Sequence, residues 1–153
     1  MRKATRTFLK HLTKVNPSAR MINVVKHEYD KAKPNMCFEN AMEFLGENED
    51  WICRSGWLVG EYFGDNGTAV LPHYWVHNPR TKTDFDVTPI DDVQTFEYVL
   101  DTQLSNNINW NNKVAVPVSL KVNVDGSLSA RVGPNRFIRL NEIDYQTLLA
   151  LAN

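Results

Sequence analysis

The sequence predicts an α+β fold in which N-terminal helices pack on an antiparallel sheet, with residues 1–153 forming a single domain. Three observations lead to this prediction. Apolar residues at helical spacing dominate the first third of the chain, and short segments rich in aromatic and β-branched residues follow. A strictly alternating hairpin pattern then appears near the C-terminal end. No internal repeat and no Gly/Ser linker divides the sequence.

Two helices are predicted in the basic helical arm, which comprises residues 1–33. The first helix covers residues 4–14, where Phe8 and Leu12 are at helical spacing. The second covers roughly residues 19–31, and Ser18 is a suitable N-cap for it. Few apolar residues lie in residues 1–14, so their deletion is expected to affect partner binding rather than folding.

The arm is strongly basic and the remainder of the chain is acidic. Residues 1–33 hold nine Lys or Arg and two acidic residues, whereas residues 34–153 hold eight basic and sixteen acidic residues. We expect the arm to pack on the acidic body of its own domain or of a neighbour, and an acidic partner stays open. A nucleic-acid partner is not favoured, because no nucleic-acid-binding motif accompanies the charge.

The catalytic-type core comprises residues 34–89. It is predicted to start with a helix that begins near Cys37 and ends at Gly46, with one apolar face (Phe38, Ala41, Met42 and Leu45). Three strands follow, over Ile52–Phe63, Thr68–Val76 and Thr83–Val87.

Residues 90–153 are predicted to form a helix, a β-hairpin and a C-terminal helix. Asp91 or Asp92 caps the first of these helices, whose inner face holds Val93, Phe96 and Leu100, and a polar loop follows over Asn106–Asn112. In the hairpin (114–132), a Val124-Asp125-Gly126 loop pairs Val122 with Leu128 and Leu120 with Ala130. Pro117 lacks a donor, so its strand is expected at an edge or a bulge. The last helix is expected to have Asn141 as its cap and Tyr145, Leu148 and Leu149 facing inward.

Composition limits the class of protein. Hydrophobic residues make up 42% and charged residues 23% of the chain, a balance typical of soluble globular domains. The longest apolar run has five residues, from Leu148 to Ala152, too few to cross a bilayer. Two cysteines cannot build a disulfide framework, and the basic start leads into no apolar signal segment. A cytoplasmic protein with free thiols and no membrane association is therefore expected.

Cys37 is the candidate nucleophile. A thiol in the first helical turn lies beside unpaired backbone N–H groups and the positive end of the helix dipole, and both favour the thiolate. The second thiol, Cys53, follows Trp51 and Ile52 in an apolar, strand-like stretch, so it is expected to be buried and inert.

His73 and Asp86 are the candidate base and orienting carboxylate. If residues 73–78 and 83–88 form a hairpin, a register in which paired residue numbers add up to 159 puts His73 directly opposite Asp86. An Asp beside a His holds the correct tautomer and stabilises the imidazolium, which completes a nucleophile–base–orienter set with Cys37.

Four segments carry a resemblance to a known superfamily. They are Pro34-Asn35-Met36-Cys37-Phe38-Glu39-Asn40-Ala41, Ser55-Gly56-Trp57-Leu58-Val59, Pro72-His73-Tyr74-Trp75-Val76 and Asp86-Val87-Thr88-Pro89. Together they resemble a compact papain-like, transglutaminase-like thiol domain of the small bacterial or phage type. In that superfamily the Cys begins a helix on an antiparallel sheet, the His lies on one strand and the Asp on the next. Val87 departs from the pattern, since many relatives have Pro or Ala there.

The resemblance implies a cysteine-dependent hydrolase or acyltransferase that acts on an amide or ester bond of a protein or peptide-like substrate. Cys37 would attack the carbonyl, His73 would act as general base and then acid, and Asp86 would orient His73. Peptidase, amidase, deamidase and transglutaminase activities stay open, and no cofactor is implied. Asn35 and Asn40 are candidate oxyanion or substrate supports, and Trp75 either walls the site or belongs to the core.

Two alternatives remain at the level of sequence. A zinc site would use His73 and His77, four residues apart, with Cys37, Cys53 or Asp86, but no established metal motif supports it. Alternatively, the same fold would serve as a non-catalytic binding or inhibitory module, including a phage host-interaction or virion protein.

Overall fold

The computed structural model describes residues 1–62, 66–90, 95–107 and 117–152. The helices within these ranges are α1 (Lys3–Leu12), α2 (Cys37–Glu47), α3 (Thr102–Asn106) and α4 (Tyr145–Ala152). The strands are β1 (Arg20–Ile22), β2 (Val25–Lys26), β3 (Ile52–Tyr62), β4 (Thr68–Asn78), β5 (Thr83–Asp86), β6 (Glu97–Leu100), β7 (Leu120–Val122), β8 (Leu128–Gly133) and β9 (Arg136–Leu140). None of these helices has both the length and the apolar character needed to cross a membrane.

All nine described strands belong to one sheet, which confirms the α+β prediction. The order is β1-β6-β3-β4-β7-β8-β9, and β5 pairs with β4 beside this path. Neighbours run antiparallel except for β2, which pairs with β5 in parallel.

The long strand β4 has two different neighbours on one edge. Residues 76–78 pair with β5, and residues 68–70 pair with β7. Within the described part of the chain, no strand pairs with that edge of β4 between residues 71 and 75. The sheet therefore opens at the segment that contains His73.

Helix α1 is part of the core. Phe8 and Leu12 are both completely buried, and the Phe8 ring meets the Trp57 ring edge-on at 5.7 Å. The chain start also packs on its own acidic body, because the Arg2 amide donates to Glu97 Oε1 at 2.7 Å. The complete burial of Phe8 and Leu12 argues against the expectation that residues 1–14 are dispensable for folding.

The predicted helix over residues 19–31 is wrong. The chain forms β1 and β2 there, with β1 paired to β6 and β2 to β5. Ser18 does not cap a helix, because its amide and hydroxyl donate to Asn16 Oδ1. The β-branched residues Ile22, Val24 and Val25 suit a strand, and available sheet edges outweigh the local helical spacing.

The predicted helix after Asp91 is also wrong over its second half. Residues 97–100 form β6, which lies between β1 and β3. Tyr98, Val99 and Leu100 are all buried, as expected of a strand covered on both faces, whereas a helix would have exposed one of them. The residues 91–94 lie outside the described part of the chain, as do residues 108–112 of the predicted polar loop.

Helix α2 begins at Cys37 as predicted, but its inward face differs. Ala41 and Phe44 are buried, whereas Met42 is 47% exposed. The helix is rotated toward Asn40, which is also buried because its amide is hydrogen-bonded on both sides. The hydrogen bonds of Asn40 therefore turn this residue inward, and the buried face of α2 differs from the face that apolar spacing predicts.

The hairpin register is confirmed. Val122 pairs with Leu128 and Leu120 with Ala130, and Gly126 has the left-handed φ of 86° that the loop requires. However, Pro117 precedes the strand, and β7 is not an edge, since it lies between β4 and β8. Residues 114 and 116 are outside the described ranges.

The C-terminal helix is confirmed, with Tyr145 and Leu148 buried and Leu149 half-buried. Its cap is Asp144 rather than Asn141, because Asp144 Oδ1 accepts the amides of Gln146 and Thr147. Strand β9, which the sequence analysis did not predict, occupies the residues just before Asn141.

Candidate active site

Cys37 is held at the start of α2 by an unusual turn. Asn35 has a left-handed φ of 61°, a conformation that Asn tolerates better than most residues. The turn directs the chain into the helix, whose first residue is Cys37. The Cys37 side chain is half-buried, and it belongs to the first turn of the helix, whose N–H groups have no partner within the helix.

His73 connects Cys37 to Asp86. Its Nε2 atom lies 2.7 Å from Asp86 Oδ2. Cys37 is close enough to the same ring to raise the pKa of His73, and both residues line one cleft. Because Nε2 faces Asp86, Nδ1 is the ring nitrogen left for the thiol. The structure thus brings the three sequence-predicted catalytic residues together in the order Cys37–His73–Asp86.

The environment of His73 favours its charged form. Burial is the largest single influence and lowers the pKa, but the hydrogen bonds and negative charges of Asp86 and Cys37 together outweigh it. The result is a pKa of about 9 for His73, which makes the imidazolium the main form at neutral pH.

The Asp86 carboxylate is fixed by two donors besides His73. The Tyr98 hydroxyl donates to Oδ2 at 2.7 Å, and the Thr88 amide donates to Oδ1 at 2.9 Å. Burial, followed by the charge and hydrogen bond of Asp86, raises the pKa of Tyr98, so that the phenol stays a donor. Asp86 itself is almost completely buried, and its carboxylate cannot rotate without breaking these bonds.

Trp75 lies behind His73 rather than in the wall of the site. It is completely buried and stacks on His73 with 6.3 Å between ring centroids. Its Nε1 atom donates to Asp84 Oδ1 at 3.0 Å. Gly56, directly opposite His73 on β3, leaves the space for this indole, since a Cβ at residue 56 would lie 2.6 Å from Trp75 Cη2. Trp75 therefore supports the imidazole from the core.

Asn40 supports the site from beneath and does not contact the cleft. Its amide exchanges two hydrogen bonds with the backbone of Lys33 and donates to Thr88 Oγ1 at 3.1 Å. These contacts join the loop before α2 to the segment after β5. The expected substrate contact is thus replaced by a bracing role, because every polar atom of this side chain is already bonded.

A cleft of about 590 Å³ opens beside Cys37 and His73, where β4 has no partner strand in the described ranges. Asn35 lines it, as expected for a group near the reacting atoms. Glu39, Thr88 and Ser119 are its other polar lining residues, and the remainder are apolar, namely Pro34, Phe38, Leu58, Leu71, Pro72, Pro89, Ile90, Phe96 and Pro117. The cleft leaves the Cys37 thiol open to small molecules from solvent.

The second thiol and the zinc alternative do not join this arrangement. Burial, with a smaller contribution from the charge of Cys37, raises the pKa of Cys53 to about 12. His77 Nδ1 lies 3.3 Å from Asp84 Oδ2, whereas His73 Nε2 is bonded to Asp86. Across the described residues, no three His, Cys, Asp or Glu side chains are grouped so as to hold a metal ion, so the zinc hypothesis finds no ligand set there.

No protein-family model matches the chain, and no curated protein or solved structure is significantly similar to it.

Sequence reasoning missed two residues that shape the site. Tyr98 fell in a segment predicted to be helical, which hid its proximity to Asp86. Gly56 belongs to the segment Ser55-Gly56-Trp57-Leu58-Val59. An isolated Gly inside a strand pattern indicates that a neighbouring group approaches the backbone closely, as Trp75 does here.

Proposed function

We propose that the chain is a cysteine-dependent hydrolase or acyltransferase that acts on an amide or ester bond of a peptide-like substrate. The observation that carries this proposal is the grouping of three residues, in which His73 is hydrogen-bonded to Asp86 and Cys37 lies near His73 at the N-terminus of α2, beside an open cleft. This is the arrangement that the resemblance to papain-like and transglutaminase-like domains implies.

The raised pKa of His73 supports a particular starting state. The thiolate is the form of a cysteine that attacks, and a protonated His73 beside Cys37 balances its charge during the attack. Attack forms the S–C bond, and the carbonyl electron pair moves onto oxygen. His73 then gives its proton to the leaving nitrogen or oxygen, the bond to that atom breaks, and a thioester remains.

The second half of the reaction depends on the acceptor. His73, now neutral, takes a proton from water or from an amine as the acceptor attacks the thioester carbonyl. Collapse of the tetrahedral species releases the Cys37 thiolate and restores the imidazolium. Water gives hydrolysis, and an amine gives acyl transfer.

The backbone N–H of Cys37 and the side chain of Asn35 are the proposed oxyanion donors. Cys37 is the first helical residue, so its N–H has no partner within the helix. Asn35 lies two residues earlier and lines the same cleft. Both donors are thus near the place where negative charge develops on the carbonyl oxygen.

The same features weigh against a purely non-catalytic binding module. A decayed site would tolerate a thiol covered by side chains, whereas Cys37 borders the cleft and interacts with His73. A buried carboxylate held by Tyr98 and Thr88 is also a costly feature unless it orients the imidazole.

The test is acylation by an activated ester such as p-nitrophenyl acetate, followed by mass spectrometry of the thiol-containing peptides. We expect an acyl adduct on Cys37, and we expect Cys37→Ala and His73→Ala to abolish turnover. Cys53→Ala is the matched control, because it removes the other thiol and leaves the proposed site intact. Adding a primary amine to the assay separates acyl transfer from hydrolysis.

His77→Ala distinguishes this proposal from metal chemistry and is expected to be nearly silent, since His77 contacts Asp84 and not the site. An adduct on Cys53, or loss of activity in His77→Ala with none in Asp86→Asn, would contradict the thiol mechanism.

A further inference from the structure

A second groove continues from the cleft onto the outer face of β7, β8 and β9. The two share Leu71 and Ser119 in their walls. The second groove has a volume of about 200 Å³, and Lys121, Arg131 and Phe137 line its farther part. A chain bound beside Cys37 therefore has a continuous path onto this face.

Strand alternation explains why these three side chains face outward. Leu120, Leu128 and Ala130 pack into the core, so Lys121 and Arg131 project from the opposite face. Arg131 pairs with Phe137 on β9, and Phe137 is 40% exposed. The Lys121 ammonium lies 4.0 Å from the centroid of the Phe137 ring.

The face is basic although the body of the protein is acidic. Arg139, at its margin, is paired with Asp125, but among the described residues no carboxylate pairs with Lys121 or Arg131. Arg131 instead donates to the carbonyl oxygens of Gly133 and Pro134, at 3.1 and 3.2 Å. These bonds orient the guanidinium without neutralising it. The groove thus offers two fixed positive charges beside an exposed aromatic ring.

We propose that this groove, formed by Leu71, Ser119, Lys121, Arg131 and Phe137, binds an acidic segment of the polypeptide substrate, adjacent to the bond that Cys37 attacks. The position relative to the thiol rests on the proposed function, whereas the binding itself does not require turnover. The carboxylates of the segment complement the charges of Lys121 and Arg131, and the CH2 groups of its side chains pack on Phe137.

A peptide fits the groove better than a nucleic acid does. A nucleic-acid strand carries a phosphate at every nucleotide, and proteins that bind it use longer rows of cations with several stacking rings. Here two unneutralised cations accompany a single exposed ring, Phe137.

The experiment measures binding to Cys37→Ala protein by fluorescence anisotropy, so that turnover does not interfere. The probe is a short fluorescent Glu-rich peptide, and Gln-rich and Lys-rich peptides of the same length are the comparisons. We expect the Glu-rich peptide to bind most tightly, and we expect its affinity to fall as the salt concentration is raised. The double change Lys121→Gln with Arg131→Gln should raise its Kd about tenfold, the combined effect of two exposed charge pairs.

Arg80→Gln is the matched control, because Arg80 is an exposed arginine in the turn between β4 and β5 and its loss should leave the Kd unchanged.

Equal binding of the Gln-rich peptide, or an unchanged Kd in the double variant, would overturn the proposal. So would preferential binding of a single-stranded oligonucleotide through the same residues. If wild-type protein failed to acylate at Cys37 but Cys37→Ala protein still bound the Glu-rich peptide through Lys121 and Arg131, the acidic-segment site would stand and the proposed function would be wrong.

Discussion

His73 reaches Asp86 diagonally across two strands rather than as a direct cross-strand partner. Their side chains approach to 2.7 Å, yet the strand register pairs Val76 with Phe85 and His77 with Asp84. Paired residue numbers in β4 and β5 therefore add up to 161 and not to the expected 159. The predicted contact is present although the predicted register is wrong, because Asp86 ends its strand and Thr88 and Tyr98 draw its carboxylate toward the imidazole.

Asp86→Asn should lower the pKa of His73, because it removes the negative charge and the charged hydrogen bond that raise this pKa to about 9. In a pH–rate profile, we expect the basic limb, where His73 loses the proton needed by the leaving group, to move to lower pH. The maximal rate should fall about 10²-fold or more, leaving a small residual rate. Tyr98→Phe, which removes a single donor to Asp86, should shift the profile less. An unchanged basic limb in Asp86→Asn would contradict the orienting role.

Cys37 should react with iodoacetamide faster than Cys53 at neutral pH. Cys37 borders the cleft at the start of α2 and lies near His73, whereas burial raises the pKa of Cys53 to about 12 and keeps it a thiol. Alkylation followed by peptide mass spectrometry gives the two rates. His73→Ala should slow the labelling of Cys37 and leave Cys53 unaffected. Equal rates for both cysteines in the wild type would count against the site.

Protonated His73 should stabilise the fold over a defined pH window. Its pKa rises from 6.5 to about 9 on folding, so this stabilisation is complete below pH 6.5 and is lost as the pH increases through about 9. The shift corresponds to roughly 3 kcal/mol. In urea titrations, the difference in unfolding free energy between the wild type and His73→Gln should therefore shrink between pH 6 and pH 10. A difference that stays constant or grows with pH would show that His73 is not stabilised in its charged form.

Phe8→Ala should destabilise the protein by about 3–5 kcal/mol, the range for removing a large aromatic side chain from a core. Phe8 is completely buried against Trp57, and deletion of residues 1–14 should accordingly prevent folding. The matched control is Lys10→Ala on the exposed side of the same helix, which should change stability by less than about 0.5 kcal/mol. Chemical denaturation checks both values. A folded protein without residues 1–14 would show that α1 is only peripheral.

Gly56→Ala should damage the site through Trp75. The added Cβ would overlap the Val99 carbonyl oxygen and lie 2.6 Å from Trp75 Cη2, so the indole that stacks on His73 must move. We expect a loss of roughly 1–3 kcal/mol of stability, together with lower activity. Gly46→Ala is the control, because nothing lies within 4 Å of a Cβ there, and a helical Ala should stabilise α2 by about 0.5–1 kcal/mol. Full activity and stability in Gly56→Ala would mean that the contact with Trp75 relaxes freely.

The local features that the sequence determined are those whose causes lie within a few residues. Helix α2 starts at Cys37 because Pro34 and Asn35 end the preceding segment and apolar spacing begins there. The β7–β8 register follows from one loop, since only Gly126 readily takes the left-handed conformation and alternation then fixes each pair. Cys37, His73 and Asp86 could be selected from the sequence, because their side-chain chemistry and their order along the chain fit a nucleophile, a base and an orienting carboxylate.

Tertiary structure decided what depends on distant partners. Residues 20–26 and 97–100 have patterns compatible with a helix, but pairing with strands far away in sequence made both of them strands. Asn40 braces Thr88, and Gly56 accommodates Trp75, because folding brings these pairs together. The opening of the sheet beside His73 likewise exists only because β5 and β7 pair with different parts of β4, which turns three separate residues into a site with a cleft.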